Sequence, residues 1–468
     1  MKKILSILLV LVLTLSFALV SCDFTRDNDD DNNENENNEN NQNNTVEEKV
    51  MTYAEYAAAA LETEVVVEVY VQATQGWWSK DGQGLITVYA ADKDGAYFIY
   101  EMKCSEADAA KLTPGTKIKV KGYKAAWSGE VEIIDASFEF VTGADTYVST
   151  PLDATSLLGA DELINHQNKL VSFKPLTVVA SNKKDDTTNY AFLYNWDGSG
   201  SQGNDIYFNV SDGKNTYTFC VESYLTGKDT DVYKAVEALQ IGDVITVEGF
   251  LYWYNGAQPH VTKVNKVMTY AEYTAAEIDS EVNLFVYVQA NQSWWDNKIT
   301  LYAADEDGAY FIYELPCSEA DAAKLTPGTK IFVSGYKAEW SGEVEIVDAT
   351  FKFAGEDTYV ATPVDLTDKL ASNDLINYQN QLASFNGLTI KSISYKNNEP
   401  GYGNDIYVTV TKDGVDYDFC VEAYLTAPGT DVYDIFADLQ AGDVIDVEGF
   451  VYWYNGINTH ITKVVANG

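Results

Sequence analysis

The chain is poor in the residues from which most active sites are built. It has three histidines, nine prolines, five cysteines and four methionines. No GxSxG, HExxH, phosphate-binding Walker loop or CxxC pair occurs anywhere in it. That leaves no recognisable nucleophile elbow, zinc-hydrolase helix, nucleotide cradle or clustered thiolate site. Paired carboxylates of the glycosidase kind stay open, because acids this numerous fall close together by chance. Positive charge is also scarce, with 31 basic against 71 acidic residues and a formal charge of −40. Such an excess confers solubility and repels polyanions at long range, without ruling out a locally basic groove. The composition reads as a non-catalytic protein with no cofactor and no metal site.

Only one long apolar run is present. It follows Met1-Lys2-Lys3, extends from Ile4 to Val20 with small hydroxyl interruptions, and ends in Leu19-Val20-Ser21-Cys22. The run is short for a membrane span, has a basic start and stops at small residues, which is the form of an export signal. Its last four residues resemble the lipobox of bacterial lipoproteins, which implies cleavage before Cys22 and lipidation of that cysteine. Residues 23–50 are nearly all Asn, Asp and Glu, with nothing to bury, and read as a disordered tether. The expectation is a chain anchored in the membrane through lipid and facing outward, on a Gram-positive surface. Export permits disulfides among Cys104, Cys220, Cys317 and Cys420. Pairing of Cys104 with Cys220 and of Cys317 with Cys420 is one arrangement, and buried free thiols are the other.

What the sequence has in abundance is repetition. VMTYAEYAAAALETEV at Val50 returns as VMTYAEYTAAEIDSEV at Val267, and CSEADAAKLTPGTKI occurs unaltered at Cys104 and Cys317. Length differences between the two copies fall in polar stretches, as expected of surface loops. A second repeat lies inside each copy. LTPGTKIKVKGY, LQIGDVITVEGF, LTPGTKIFVSGY and LQAGDVIDVEGF, beginning at Leu112, Leu239, Leu325 and Leu439, each run into an aromatic hairpin with a Ser-Gly or Asn-Gly turn. Alternating pairs such as Ile118 and Val120 mark a half-buried strand, and the glycine at its end suits a bulge. The turn glycine supplies positive φ.

Before each such strand comes a short helical segment, and before that three strands, the last two joined at turns such as Asp94-Gly95. The order β-β-β-α-β-β, four times over, predicts a mainly β protein. It would consist of four tandem OB-folds, five-stranded Greek-key barrels with a short helix between strands three and four, arranged as two copies of a two-barrel repeat. The predicted boundaries are 51–143, 144–266, 267–355 and 356–468, following a signal at 1–22 and the tether at 23–50. Thr52 with Glu55, and Thr269 with Glu272, predict capping boxes opening each copy. The strand motif and aromatic-glycine hairpin resemble the OB-fold modules of exported bacterial proteins, found in extracellular nucleases and in Firmicutes surface lipoproteins. The resemblance implies fold more than activity, since such modules often accompany a catalytic domain that this chain lacks.

OB-folds bind ligands beside the loops joining strands one to two and four to five. In barrel 1 those loops carry Trp77, Trp78 and Trp127, matched in barrel 3 by Trp294, Trp295 and Trp340. They are the candidate stacking platform for a sugar, peptide or protein ligand, with one tryptophan of each adjacent pair expected to pack inward. Tyr252, Trp253 and Tyr254, with Tyr452, Trp453 and Tyr454, are candidates either for binding or for contact with a neighbouring barrel. His260 and His460 read as structural. The turns ADKDG and ADEDG lack the further ligands of a calcium loop. Single-stranded nucleic acid is the alternative ligand, disfavoured by charge, and an architectural spacer is the third possibility. The KIKVKGYK cluster at Lys117 weakens to KIFVSGYK in the other copy, which argues against an essential phosphate track.

Overall fold

The computed structural model describes residues 48–467 apart from 185, 400 and 402. The export segment, Cys22 and nearly all of the tether lie outside the described residues. From Lys49 onward the chain forms one compact unit containing four five-stranded barrels. Barrel 1 comprises Glu64–Thr74, Gln83–Ala91, Ala96–Lys103, Lys117–Trp127 and Glu130–Phe140. Barrel 2 comprises Leu170–Val179, Ile206–Ser211, Thr216–Val221, Val244–Phe250 and His260–Lys266. Barrel 3 comprises Glu281–Asn291, Lys298–Ala304, Ala309–Pro316, Thr329–Trp340 and Glu343–Thr358, its last strand running past residue 355. Barrel 4 comprises Leu382–Tyr395, Ile406–Lys412, Val415–Val421, Val444–Phe450 and Asn458–Asn467.

In every barrel the strands neighbour one another in the cyclic order 1-2-3-5-4-1. The third and fifth strands pair in parallel and the other neighbours antiparallel. A short helix lies between strands three and four, as at Glu106–Ala109 and Asp231–Glu237. This is OB-fold topology.

Side-chain alternation builds each core. Val65, Val67, Val69 and Val71 are fully buried, while Glu68 and Tyr70 between the last three point outward, as the two-residue period of a strand requires. The register slips at the strand-four glycine in all four barrels. At Gly122 a Cβ would lie 2.8 Å from Ile134 O and 2.7 Å from Ile133 Cγ2, so the bulge there depends on the missing side chain.

Each copy opens with a helix capped as its sequence predicts, Thr52 and Glu55 forming one capping box and Thr269 and Glu272 the other. The far end of the first helix is closed by a residue from another strand. Lys124 reaches back so that its Nζ donates to Tyr56 O, Ala57 O and Ala59 O at 3.0, 2.8 and 2.9 Å. Lys337 does the same for the second copy. An ammonium over the terminal carbonyls satisfies both their unpaired acceptors and the negative end of the helix dipole.

Candidate ligand groove between paired barrels

Barrels 1 and 2 are joined by a buried aromatic cluster outside either barrel core. Tyr89 on the second strand of barrel 1 stacks on Phe250 with ring centroids 4.3 Å apart and planes 9° apart. Its hydroxyl shares a 2.8 Å hydrogen bond with His260 Nδ1, and His260 stacks in turn on Tyr252 at 4.3 Å. Burial holds His260 down to about 3, so the imidazole is neutral near pH 7. The Tyr252-Trp253-Tyr254 hairpin divides as alternation demands. Tyr252 faces barrel 1, Trp253 packs against the barrel 2 core, and Tyr254 is half exposed.

Polar contacts complete the joint. Trp253 N donates to Glu130 Oε2 at 2.8 Å, and Asn255 N donates to Ser128 O at 2.7 Å. Gln167 Nε2 donates to Gly129 O at 2.6 Å and Asn168 Nδ2 to Val131 O at 3.2 Å. Gly129 has φ +95°, and a Cβ there would sit 2.7 Å from Trp253 Cδ1, so the hairpin turn and the joint both require glycine. Glu130 is wholly buried, and desolvation pushes its carboxyl up to about 8. Barrels 3 and 4 repeat the arrangement, with Tyr302 stacked on Phe450 at 4.1 Å, bonded to His460, and Glu343 receiving Trp453 N.

Beside the first joint lies a cleft of about 820 Å³. Phe98, Tyr100 and Trp127 of barrel 1 form one wall, and Tyr207, Tyr252 and Tyr254 of barrel 2 the other. Trp196 stands over it from the loop after the first strand of barrel 2. Trp127 is 61 % exposed and Trp196 74 %, a large apolar area left in water unless a ligand covers it. The charged groups on the walls are Glu132, Asp205 and Glu222, all acidic, with Gln75 and Gln258 as neutral polar partners. Burial and the neighbouring Asp205 raise Glu222 to about 7 although two backbone amides bind it. A smaller cleft of about 260 Å³ shares Gln75 and Tyr100 with the first and adds Trp78 and Tyr224. The two together form one elongated aromatic surface.

The six tryptophans expected to act as platforms separate into different roles. Trp77 and Trp294 pack against their barrel cores and donate through Nε1 to Cys104 O and Cys317 O, each at 3.0 Å. Trp77 also borders a separate cleft beside Phe138 and Phe140. Trp78 lies in the smaller groove, Trp295 is 48 % exposed under the Lys298 ammonium, and Trp127 alone of barrel 1 enters the main groove. Trp340 occupies the equivalent position in barrel 3, 5.2 Å from the Tyr454 ring. The site therefore lies between two barrels rather than on one. Trp196 and the three carboxylates do not stand out in the sequence, except that Trp196 sits in the stretch where the two copies differ in length.

All four described cysteines are free thiols. Cys220 lies buried on the groove floor with its thiol pushed well up by desolvation. The ADKDG and ADEDG turns are closed internally, Asp92 Oδ1 accepting from Asp94 N and Gly95 N and Asp305 Oδ1 from Asp307 N and Gly308 N. Among the described residues no group of three or more His, Cys, Asp and Glu is placed to hold a metal ion.

No family model and no curated protein matches the chain. It is similar to solved structures of low identity. The Ifi202 HINa domain in complex with 20-base-pair dsDNA is 12 % identical with a TM-score of 0.23, covering 44 % of this chain and 97 % of that one. A replication protein A heterotrimer bound to ssDNA is 9 % identical with a TM-score of 0.21, covering 67 % and 96 %. The p204 HINb domain is 13 % identical with a TM-score of 0.22, covering 45 % and 100 %. Likenesses this distant say nothing of what this chain binds.

Proposed function

We propose that the protein is a non-catalytic binding protein, held at the outer face of a bacterial membrane by lipid on Cys22. It would engage an elongated neutral or cationic ligand, a peptide or a glycan, along the groove between barrels 1 and 2. The supporting observation is the groove's composition, exposed aromatic rings in series with only acidic charge on the walls. Rings of this kind stack on sugar faces or side chains and contribute area at little entropic cost. The tether would hold the barrels clear of the membrane, and two acyl chains would anchor it stably.

Single-stranded nucleic acid is the second reading, favoured by the use other OB-folds make of the same strand faces. Stacking supplies ~1–3 kcal/mol per base, but such binders add a basic track along the phosphates. The chain has one arginine, Arg26, ahead of the barrels, and the groove walls carry no lysine. A screen against glycan and peptide arrays, with fluorescent oligo-dT alongside, tests the proposal. A neutral or basic probe is expected to bind and to be lost on Trp127→Ala combined with Trp196→Ala. Oligo-dT binding that falls steeply with salt would install the nucleic-acid reading, and silence from every probe would leave the barrels as a spacer.

A further inference from the structure

The two copies of the repeat differ at one point of chemical consequence. In barrel 4, Lys396 Nζ lies 3.2 Å from Asp405 Oδ2, while Asp405 Oδ1 accepts from Ala423 N at 3.1 Å. The Asp405 hydrogen bond raises the ammonium above the ordinary lysine value, with Tyr407 and Tyr424 adding smaller effects. Lys396 thus occupies a seat on one carboxylate.

Barrel 2 keeps the seat and lacks the lysine. Asp205, Tyr207, Glu222 and Tyr224 match Asp405, Tyr407, Glu422 and Tyr424. The residue in the lysine's place is Asn195, since Asn195 N donates to Asp205 O at 2.9 Å just as Lys396 N donates to Asp405 O. The Asn195 side chain lies against Gly200 instead. Ser223 N and Oγ fill Asp205 Oδ1 at 2.9 and 2.7 Å, the same oxygen that the backbone fills in barrel 4. Asp205 and Tyr207 line the main groove, and Tyr224 lines the smaller cleft that continues it.

Resting on the groove reading above, we infer that the barrel 1–2 groove takes a lysine side chain of a polypeptide partner, its ammonium seated on the Asp205 carboxylate that lines the groove beside Tyr207. In barrel 4 the matching carboxylate is already met from within by Lys396. A lysine is favoured over other cations because the chain itself puts one in the duplicate seat. A partly desolvated ammonium gains from a charge-assisted hydrogen bond to a carboxylate. The carboxylates Glu132 and Glu222 along the same wall suit a partner with basic flanks.

The test uses the purified protein and a single-lysine probe, acetyl-Gly-Tyr-Lys-Tyr-Gly-amide, with its norleucine analogue as control, in titrations at physiological salt. One equivalent of the lysine peptide is expected to bind, at least tenfold more tightly than the norleucine peptide. Asn195→Lys, which brings an ammonium to the matching chain position, should weaken binding at least tenfold, as should Asp205→Asn. Lys396→Ala should raise the stoichiometry to two, a gain that misfolding does not imitate. Equal binding of the norleucine peptide would overturn the lysine assignment while leaving the groove reading intact. Failure of both peptides to bind would overturn the lysine assignment, and silence of the glycan and peptide arrays as well would overturn the groove reading. A glucosamine hexamer that binds in place of the peptide, with the same dependence on Asp205, would overturn the polypeptide assignment.

Discussion

Replacing Glu130 and Glu343 with glutamine should remove a pH dependence that the barrel joints impose on stability. Both carboxyls are wholly buried, each accepts from a tryptophan backbone amide, and desolvation raises each to about 8. The ordinary value is 4.5, so above that pH the unfolded chain has released a proton that the folded chain retains. Stability tied to that proton is full below 4.5 and is lost as pH rises to about 8. His260 and His460 act in the opposite sense, because burial lowers them from 6.5 to about 3 and stability from them rises up to pH 6.5. The clean window therefore runs from 6.5 to about 8. Over it, at about 1.4 kcal/mol per pH unit, each joint loses roughly 2 kcal/mol. For a barrel pair this corresponds to about 4–8 °C in melting temperature. Calorimetry of the wild type at constant ionic strength should show that fall between pH 6.5 and 8.5. The double glutamine variant keeps an acceptor for the tryptophan amide and offers a fixed donor toward the neighbouring asparagine. It should melt nearly independently of pH and above the wild type at 8.5, with only a small residual slope from Glu222 and Glu422. A wild type that is flat across the window, or a variant that retains the full slope, would refute the reasoning.

Other consequences follow from the same contacts. Tyr89→Phe removes the hydroxyl that meets the buried His260 Nδ1 and should cost about 1–3 kcal/mol by chemical denaturation, with Tyr302→Phe behaving alike. Lys124→Met leaves three helix-end carbonyls without their ammonium and should cost about 2 kcal/mol, measurable as faster exchange of the amides of the first helix. Gly129→Ala meets both a positive φ and the Trp253 ring, so it should lower the denaturation midpoint by more than the ~1 kcal/mol of turn strain alone. Cys104, Cys220, Cys317 and Cys420, with thiols all raised by desolvation, should react slowly with Ellman's reagent in the native protein. Four equivalents of those thiols should appear on unfolding without reductant, and fewer would reveal a disulfide.

The barrels are legible in the sequence because strand alternation, bulge glycines and turn glycines are local signals, and Gly122 and Gly129 occupy the positions those signals assign. The hairpin tyrosines were equally readable as a two-faced element, since alternation sends Trp253 one way and its neighbours the other. Lys124 was not, because in KIKVKGYK it stands on the inward parity of Ile118 and Val120, where a lysine is not expected, and only the helix end lying over it explains its burial. The groove escaped for a related reason. Its walls come from different barrels, so Trp127 and Tyr254 come to line one cleft through packing that no local pattern records. Trp196 sits in a polar stretch where a length difference between copies reads only as a loop.

The clasp between neighbouring barrels also explains the pattern of inheritance along the chain. Glu130, Tyr89 and the Ser128-Gly129 turn find partners in the next barrel, at Trp253, His260, Asn255 and Gln167. A single barrel copied alone would have carried half of each contact into water. The smallest segment that can be duplicated and remain folded is thus a pair, which is why barrel 1 shares its wording with barrel 3 rather than with barrel 2. Once doubled, one pair is free to answer its own carboxylate with a lysine while the other keeps it open.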